Sequence, residues 1–146
     1  GMAEINYTIV RPHNIYGPNM GNEHVIPELI KKMKKTKKNN HLKIEGSGKE
    51  IRSFIYIKDF IEAFNQILNK GKHMQIYNIG TSESVNIIKL VKKISKIMKK
   101  KVVIKTSPLK KGGTKIRTPD ITKLKKLGFK PKFSLDQGLS EIIFKN

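Results

Sequence analysis

The chain has no cysteine and no tryptophan, 11 acidic residues against 31 basic ones, and only three arginines among those 31. Without cysteine there are no disulfides and no thiolate metal site, which fits a reducing compartment and makes the cytoplasm the expected location. No metal ligand set is expected. No apolar run approaches the roughly 18 residues that a membrane span requires, so no membrane partner is expected. The shortage of acids leaves a formal net charge of +20 over 146 residues. A chain this basic attracts polyanions at low salt. The distribution of the charge argues against nucleic acid as the partner. Lys31, Lys32, Lys34, Lys35, Lys37 and Lys38, then Lys92, Lys93, Lys96, Lys99, Lys100 and Lys101, fall on polar faces or ends of helical patterns with no interleaved aromatics. They read as solvated faces.

The scarcity of arginine makes its positions informative. Arg11, Arg52 and Arg117 all lie in short motifs, RPHNIYGP, GSGKEIRSF and IRTPD, and none lies in the lysine runs. Where lysine supplies generic charge, arginine marks places that need a planar fork to grip phosphate or carboxylate. A structural ion pair is the alternative at each. Three such sites together point to an anion.

Gly1 before Met2 reads as the scar of a cleaved tag, leaving residues 2–146 as a single domain. Ile5 to Val10 is a β-rich run followed by a Pro/Gly loop. Val25, Ile26, Leu29, Ile30 and Met33 then follow helical spacing, with Pro27 in the first turn. Extended segments at 42–45 and 52–57 flank Gly46-Ser47-Gly48. A helix follows with Asp59 near its start and Phe60, Ala63, Phe64, Ile67 and Leu68 on one face. Residues 75–79 read as a strand, Asn86 as the N-cap of another helix, and 102–105 as a strand. Two short helices follow, about 121–127 closed by Gly128 and 135–144 capped by Ser134. Alternating strands and helices indicate α/β layers.

Five strings in order carry a resemblance. They are Arg11-Pro12-His13-Asn14-Ile15-Tyr16-Gly17-Pro18; His24-Val25-Ile26-Pro27; Gly46-x-Gly48-x-x-x-Arg52-Ser53-Phe54-Ile55-Tyr56-Ile57-x-Asp59; Tyr77-Asn78-Ile79-Gly80; and Arg117-x-x-Asp120 running on to Pro131. The sequence resembles the carboxy-terminal half of the extended short-chain dehydrogenases/reductases, the NAD-dependent epimerases and dehydratases of nucleotide-diphosphate sugars. The resemblance implies the small α/β substrate-binding domain of that Rossmann-type fold, lacking most of the dinucleotide-binding domain. It places Asn14 near the sugar diphosphate and His24 and Val25 along the diphosphate pocket. It lays the nucleobase along Ile44, Glu45 and Gly46, and makes Arg52 the diphosphate clamp. His13 falls on the cofactor side, past the nicotinamide. A second phosphate-binding position falls on Lys110 or Arg117, and Lys110 offers only a point charge. Asp59 is expected to organise the fold around it, not to touch substrate.

The family's chemistry is transient oxidation of the sugar by NAD or NADP. It uses a Gly-x-x-Gly-x-x-Gly loop and a Tyr-x-x-x-Lys pair, and the chain has neither. The resemblance therefore implies the substrate-binding part of an epimerase or dehydratase, with 4-epimerisation of a UDP-sugar as the leading parent activity. No catalytic residue and no turnover are expected of this chain alone, and no bound NAD. Its partners would be the nucleotide-diphosphate sugar and the missing dinucleotide-binding domain, with self-association through the face that domain would cover. A freestanding nucleotide- or phosphate-binding module and a basic nucleic-acid binder are the competing readings.

Overall fold

Helices α1 (Val25–Lys35) and α3 (Ile87–Ile97) bury the stripes their spacing dictates, and the buried side chains form two apolar cores. The computed structural model describes residues 5–36, 41–109 and 111–144. In α1 the buried residues are Ile26, Leu29, Ile30 and Met33, and in α3 they are Ile87, Leu90, Val91 and Ile94. Both pack into the first core with β3 (His41–Glu45), whose alternation buries Leu42 and Ile44, and with Leu135, Leu139 and Ile142 of α5 (Leu135–Phe144). The second core joins Ala63 and Ile67 of α2 (Ile57–Lys70), Tyr77 and Ile79 of β6 (Ile76–Ile79), and Leu124 of α4 (Thr122–Lys126) with Phe129.

A two-residue ribbon divides the cores. Ile15–Tyr16 (β2) pairs in parallel with Ile55–Tyr56 (β5). Successive residues of a strand face opposite ways. Tyr16 and Tyr56 thus enter the first core, while Ile55 enters the second with Ile15 packed beside it. The remaining pairs are β1 (Ile9–Pro12) with β6 and β3 with β8 (Val103–Ser107), both parallel. A three-stranded sheet has β4 (Ile51–Ser53) between antiparallel β7 (Ser84–Asn86) and parallel β9 (Ile116–Arg117).

Several expectations shift. The first strand begins at Ile9, not Ile5, because Tyr7 and Thr8 bond outside a ladder. The Tyr7 N–H donates to His73 Nδ1 (3.2 Å), and the Thr8 hydroxyl donates to the Lys72 carbonyl (3.1 Å). The extended run at 52–57 breaks at Phe54 into β4 and β5, and α2 starts at Ile57. On α2, Ala63 and Ile67 are buried, Phe60 and Phe64 are half-buried, and Leu68 is exposed. The lysine faces are not wholly solvated. Lys93 pairs with Asp136 at 2.7 Å. Lys100 donates to the carbonyls of Met33 (2.9 Å) and Lys34 (3.2 Å), closing the end of α1. Lys37 and Lys38 lie outside the described residues.

Asn86 caps α3 by accepting from the Lys89 N–H at 2.8 Å. Ser134 and Gln137 bond reciprocally at the start of α5, a capping box. Asp59 is 1% exposed, and its two carboxylate oxygens accept the N–H groups of Lys132 and Phe133 at 3.0 Å each. It pins the segment leading into α5 onto α2.

Gly138 of α5 gives a test of this packing. A β-carbon there would lie 2.7 Å from Cζ of Tyr16, whose ring is held by edge contacts with Phe54 and Tyr56. Gly138→Ala should gain about 1 kcal/mol of helix propensity and lose more to overpacking. The expected net destabilisation is about 1–2 kcal/mol, read as a lower urea midpoint. An unchanged or raised midpoint would mean the Tyr16 ring yields freely.

Candidate functional site

The sheet β7-β4-β9 supplies the floor of the site through strand parity. Ile51 pairs with Ile116 and Arg52 with Arg117 in a parallel register, so the two isoleucines share one face and the two arginines the other. On the isoleucine face lies an apolar slot of about 740 Å³. The arginine face opens on a groove made of two adjoining cavities of about 210 Å³ each, which share Glu23, Val25 and Arg52. One cavity is lined by Asn14, Tyr16, His24, Phe54 and Arg117 among others. The other is lined by Leu29, Ile44, Glu45, Glu50, Ile87 and Leu109 among others.

Asn14, His24, Val25, Ile44, Glu45, Arg52 and Arg117 therefore line one continuous groove. Lys110 lies outside the described residues. Asn14 sits at φ 38°, in the left-handed region that asparagine tolerates, and its side-chain amide donates to the Ser53 carbonyl at 2.7 Å. That bond reaches β4, not its own turn, and holds the loop after β1 against the strand that carries Arg52. Ser53 in turn donates to the Thr81 carbonyl at 2.6 Å. His24 is the N-cap position of α1, and no side chain caps the helix there. The positive end of an 11-residue helix thus opens into the groove.

Arg52 is half-buried and preorganised. Its Nη2 donates to the Thr114 carbonyl (2.7 Å), and its Nη1 donates to the carbonyls of Ile51 (2.8 Å) and Lys115 (3.4 Å). These bonds use backbone acceptors only, and none of those neutral acceptors cancels the positive charge. Burial and then the adjacent Arg117 lower its pKa, with Glu50 opposing. Arg117 donates to the Thr114 hydroxyl at 3.3 Å. Two like charges as register partners repel, and an anion between them would relieve that.

The third arginine is elsewhere. Arg11 is exposed on β1 opposite Asn78 and does not line the groove. Of the three arginines whose positions pointed to an anion, the structure brings two, Arg52 and Arg117, to the groove. His13 follows β1, its N–H donating to the Ile79 carbonyl at 2.9 Å, and it too is outside both groove cavities. Burial and then Arg117 lower its pKa, an Asn78 hydrogen bond opposing.

Sequence reading missed Glu50. It is 7% exposed and lines the groove, and its Oε1 accepts the N–H (2.9 Å) and hydroxyl (3.0 Å) of Ser47. Gly46 makes room for it. At φ +78°, a β-carbon on Gly46 would lie 2.7 Å from the Glu50 carboxyl carbon. The glycine of the turn was legible, but not the carboxylate it admits.

Two buried tyrosines beside the groove are shifted upward. Tyr16 is pushed far up, first by burial, and Tyr56 is raised to about 12 by burial and its bond to Glu141. The N-terminus of α3 is capped by Asn86, that of α5 by Ser134, and α2 follows β5 directly, so these three helices offer no glycine loop through which a pyrophosphate could approach. Among the described residues no group of three acidic or histidine side chains could hold a metal ion, and no helix is long and apolar enough to cross a membrane.

With this geometry in hand, the comparisons are specific. The model of the NAD dependent epimerase/dehydratase family matches residues 2–80. The chain is 40% identical over 91 residues to the dTDP-D-glucose 4,6-dehydratase of Homo sapiens, which covers 62% of this chain and 25% of that protein. It is 30% identical over 136 residues to GDP-L-fucose synthase 1 of Arabidopsis thaliana, covering 89% of this chain and 42% of the other. Among solved structures, UDP-glucose 4-epimerase of Thermotoga maritima with UDP-glucose superposes at a TM-score of 0.85 with 28% identity, over 95% of this chain and 45% of that one. UDP-glucuronic acid 4-epimerase of Bacillus cereus, in complex with UDP-glucuronic acid and NAD, gives 0.83 and 29% over 93% and 43%. The chain thus spans less than half the length of each of these proteins.

Proposed function

The chain belongs to the NAD-dependent epimerase/dehydratase family, and we propose that it forms the part of such an enzyme that grips the nucleotide-diphosphate sugar. The observation that carries this is the Arg52–Arg117 pair on one face of the groove, lining the same cavity as the uncapped N-terminus of α1. Two forks and a helix dipole converge where a diphosphate would lie. Asn14 and His24 border the same end, and Ile44, Glu45, Leu29 and Leu109 line the other, a half-apolar space suited to a nucleoside. Lys110 would add charge from the segment before Arg117.

The parent activity in this reading is 4-epimerisation of a UDP-sugar, supported by the overall likeness to the two UDP-sugar epimerases. Dehydration of a dTDP-sugar is the second reading, favoured by the stretch shared with the human dehydratase. NAD or NADP would be held by structure other than the residues described. The exposed side of β1, with Tyr7 and Ile9 about half exposed, is where the dinucleotide-binding part would add its sheet, and where two copies would meet in its absence.

Titration of UDP into the chain by calorimetry tests the reading. Saturable one-to-one binding is expected, displaced by pyrophosphate and not by a short DNA duplex, with no heat from NAD. No UDP binding, alongside DNA binding that falls steeply with salt, would replace it with the polyanion reading.

A further inference from the structure

Two stretches of the chain, residues 29–44 and 84–119, hold 18 of its 28 lysines and no aspartate, glutamate, phenylalanine or tyrosine. The fold brings them together. The first carries most of α1 and β3, and the second carries α3 and β8. The two strands pair, the two helices share the first core, and the Lys100 ammonium closes the end of α1. The outer faces of these helices are almost pure lysine. Lys89, Lys92 and Lys96 are the exposed residues of α3, and on α1 the exposed residues are Glu28, Lys31, Lys34 and Lys35. Glu28 is taken by Lys32, and none of the six exposed lysines has an acidic partner among the described residues. Helix stability does not account for them. The dipole suits Lys34 and Lys35 in the last turn of α1 but opposes Lys89 in the first turn of α3. Lys31 with Lys35, and Lys92 with Lys96, are like charges at a spacing that destabilises a helix. An anionic surface laid against the face would relieve that repulsion.

We propose that this α1/α3 face adsorbs to a membrane surface rich in anionic lipid. The contact is made by charge and needs no span. Both helices bury their apolar stripes in the core and expose no apolar side chain, so they lie on the headgroups and insert nothing. A cluster of roughly four to eight basic residues on an amphipathic helix is the usual footprint of such binding. Lysine suits it, because a long stem carries a hydrated point charge to phosphates whose positions are not fixed. A nucleic acid asks for more. Its bases are read by arginine forks and stacked rings, and the two stretches contain no phenylalanine, tyrosine or tryptophan and a single arginine, Arg117, which belongs to the groove. The faces that the sequence presents as solvated thus become the contact surface, and the groove arginines take no part in it.

The experiment is co-sedimentation of the chain with vesicles of phosphatidylcholine alone and of phosphatidylcholine mixed with an equal part of phosphatidylglycerol. Binding is expected to the anionic vesicles only, and should fall about 10-fold or more between about 0.1 M and 1 M salt as the Debye length shortens. This arm needs no variant. Lys34→Gln, Lys35→Gln, Lys92→Gln and Lys96→Gln made together should weaken vesicle binding by about 100-fold, at several-fold for each lysine near the surface. A second variant removes the same charge from exposed lysines around the other core, with Lys72→Gln, Lys125→Gln, Lys126→Gln and Lys130→Gln, and should stay within about 3-fold of the unmodified chain. Glutamine is about as good a helix former as lysine, so both variants should keep the parent's melting midpoint. No preference for the anionic vesicles, or equal losses in the two variants, overturns the proposal. A short DNA duplex that strips the chain from the vesicles at equal phosphate concentration also overturns it, in favour of a nucleic-acid surface.

Discussion

Arg52→Ala is expected to weaken UDP binding by about 100-fold. Two charge-assisted hydrogen bonds to a phosphate, each of about 1.5–3 kcal/mol before discounting for partial exposure, set that scale. The fork is held in place before any ligand arrives, with Thr114, Lys115 and Ile51 carbonyls fixing its plane. Little ordering entropy is then lost on binding. Arg52→Lys keeps a point charge but not the fork, and should lie between, at roughly 10-fold weaker. Arg11→Ala is the internal control, as that side chain is outside the groove. Calorimetric titration of the three variants reads the series. Equal losses from Arg52→Ala and Arg11→Ala would mean that net charge, and not a clamp, holds the nucleotide.

Asp59→Ala should be the most damaging single change to the fold, lowering stability by about 3 kcal/mol. The carboxylate is 1% exposed and its two oxygens receive two backbone N–H groups, so removal strands both donors in the interior. For a domain of this size the melting midpoint followed by circular dichroism should drop by about 10 °C. Asp59→Asn, which retains one acceptor oxygen, should recover about half of that. Lys132 and Phe133 lead straight into α5, whose Leu135, Leu139 and Ile142 complete the first core. Loss of UDP binding with an unchanged melt would instead make Asp59 a ligand-contacting residue.

The two predictions differ in how visible their residues were. Arg52 stood out because arginine is rare in this chain, and rarity at a motif is a one-dimensional signal. Asp59 was recognisable as a structural acid from its place near a helix start, but its partners, more than 70 residues away, were not. Glu50 gave no signal at all. A glutamate in a turn reads as solvated, and only the approach of Gly46 and Ser47 shows that it is buried, with one oxygen held by Ser47.

The sequence by itself determined the helices, because spacing at three and four residues leaves a helix one apolar stripe to bury, and the stripes of α1 and α3 are the ones it buries. It determined the caps at Asn86 and Ser134, since those side chains bond within three residues. It also determined the family, through motifs kept in order. Tertiary structure alone decided what depends on pairing between distant segments. The register that sets Arg52 beside Arg117 joins strands 65 residues apart, and no local preference encodes it. The same register put Ile51 and Ile116 on the opposite face and so made one sheet into groove floor on one side and apolar slot on the other. A different pairing separated Arg11 from the other two arginines, because β1 pairs with β6, whose Tyr77 and Ile79 belong to the second core. Short strands of two or three residues, such as β2, β5 and β9, carry too few side chains for a period to show. Their partners define them, and the partners exist only in the folded chain.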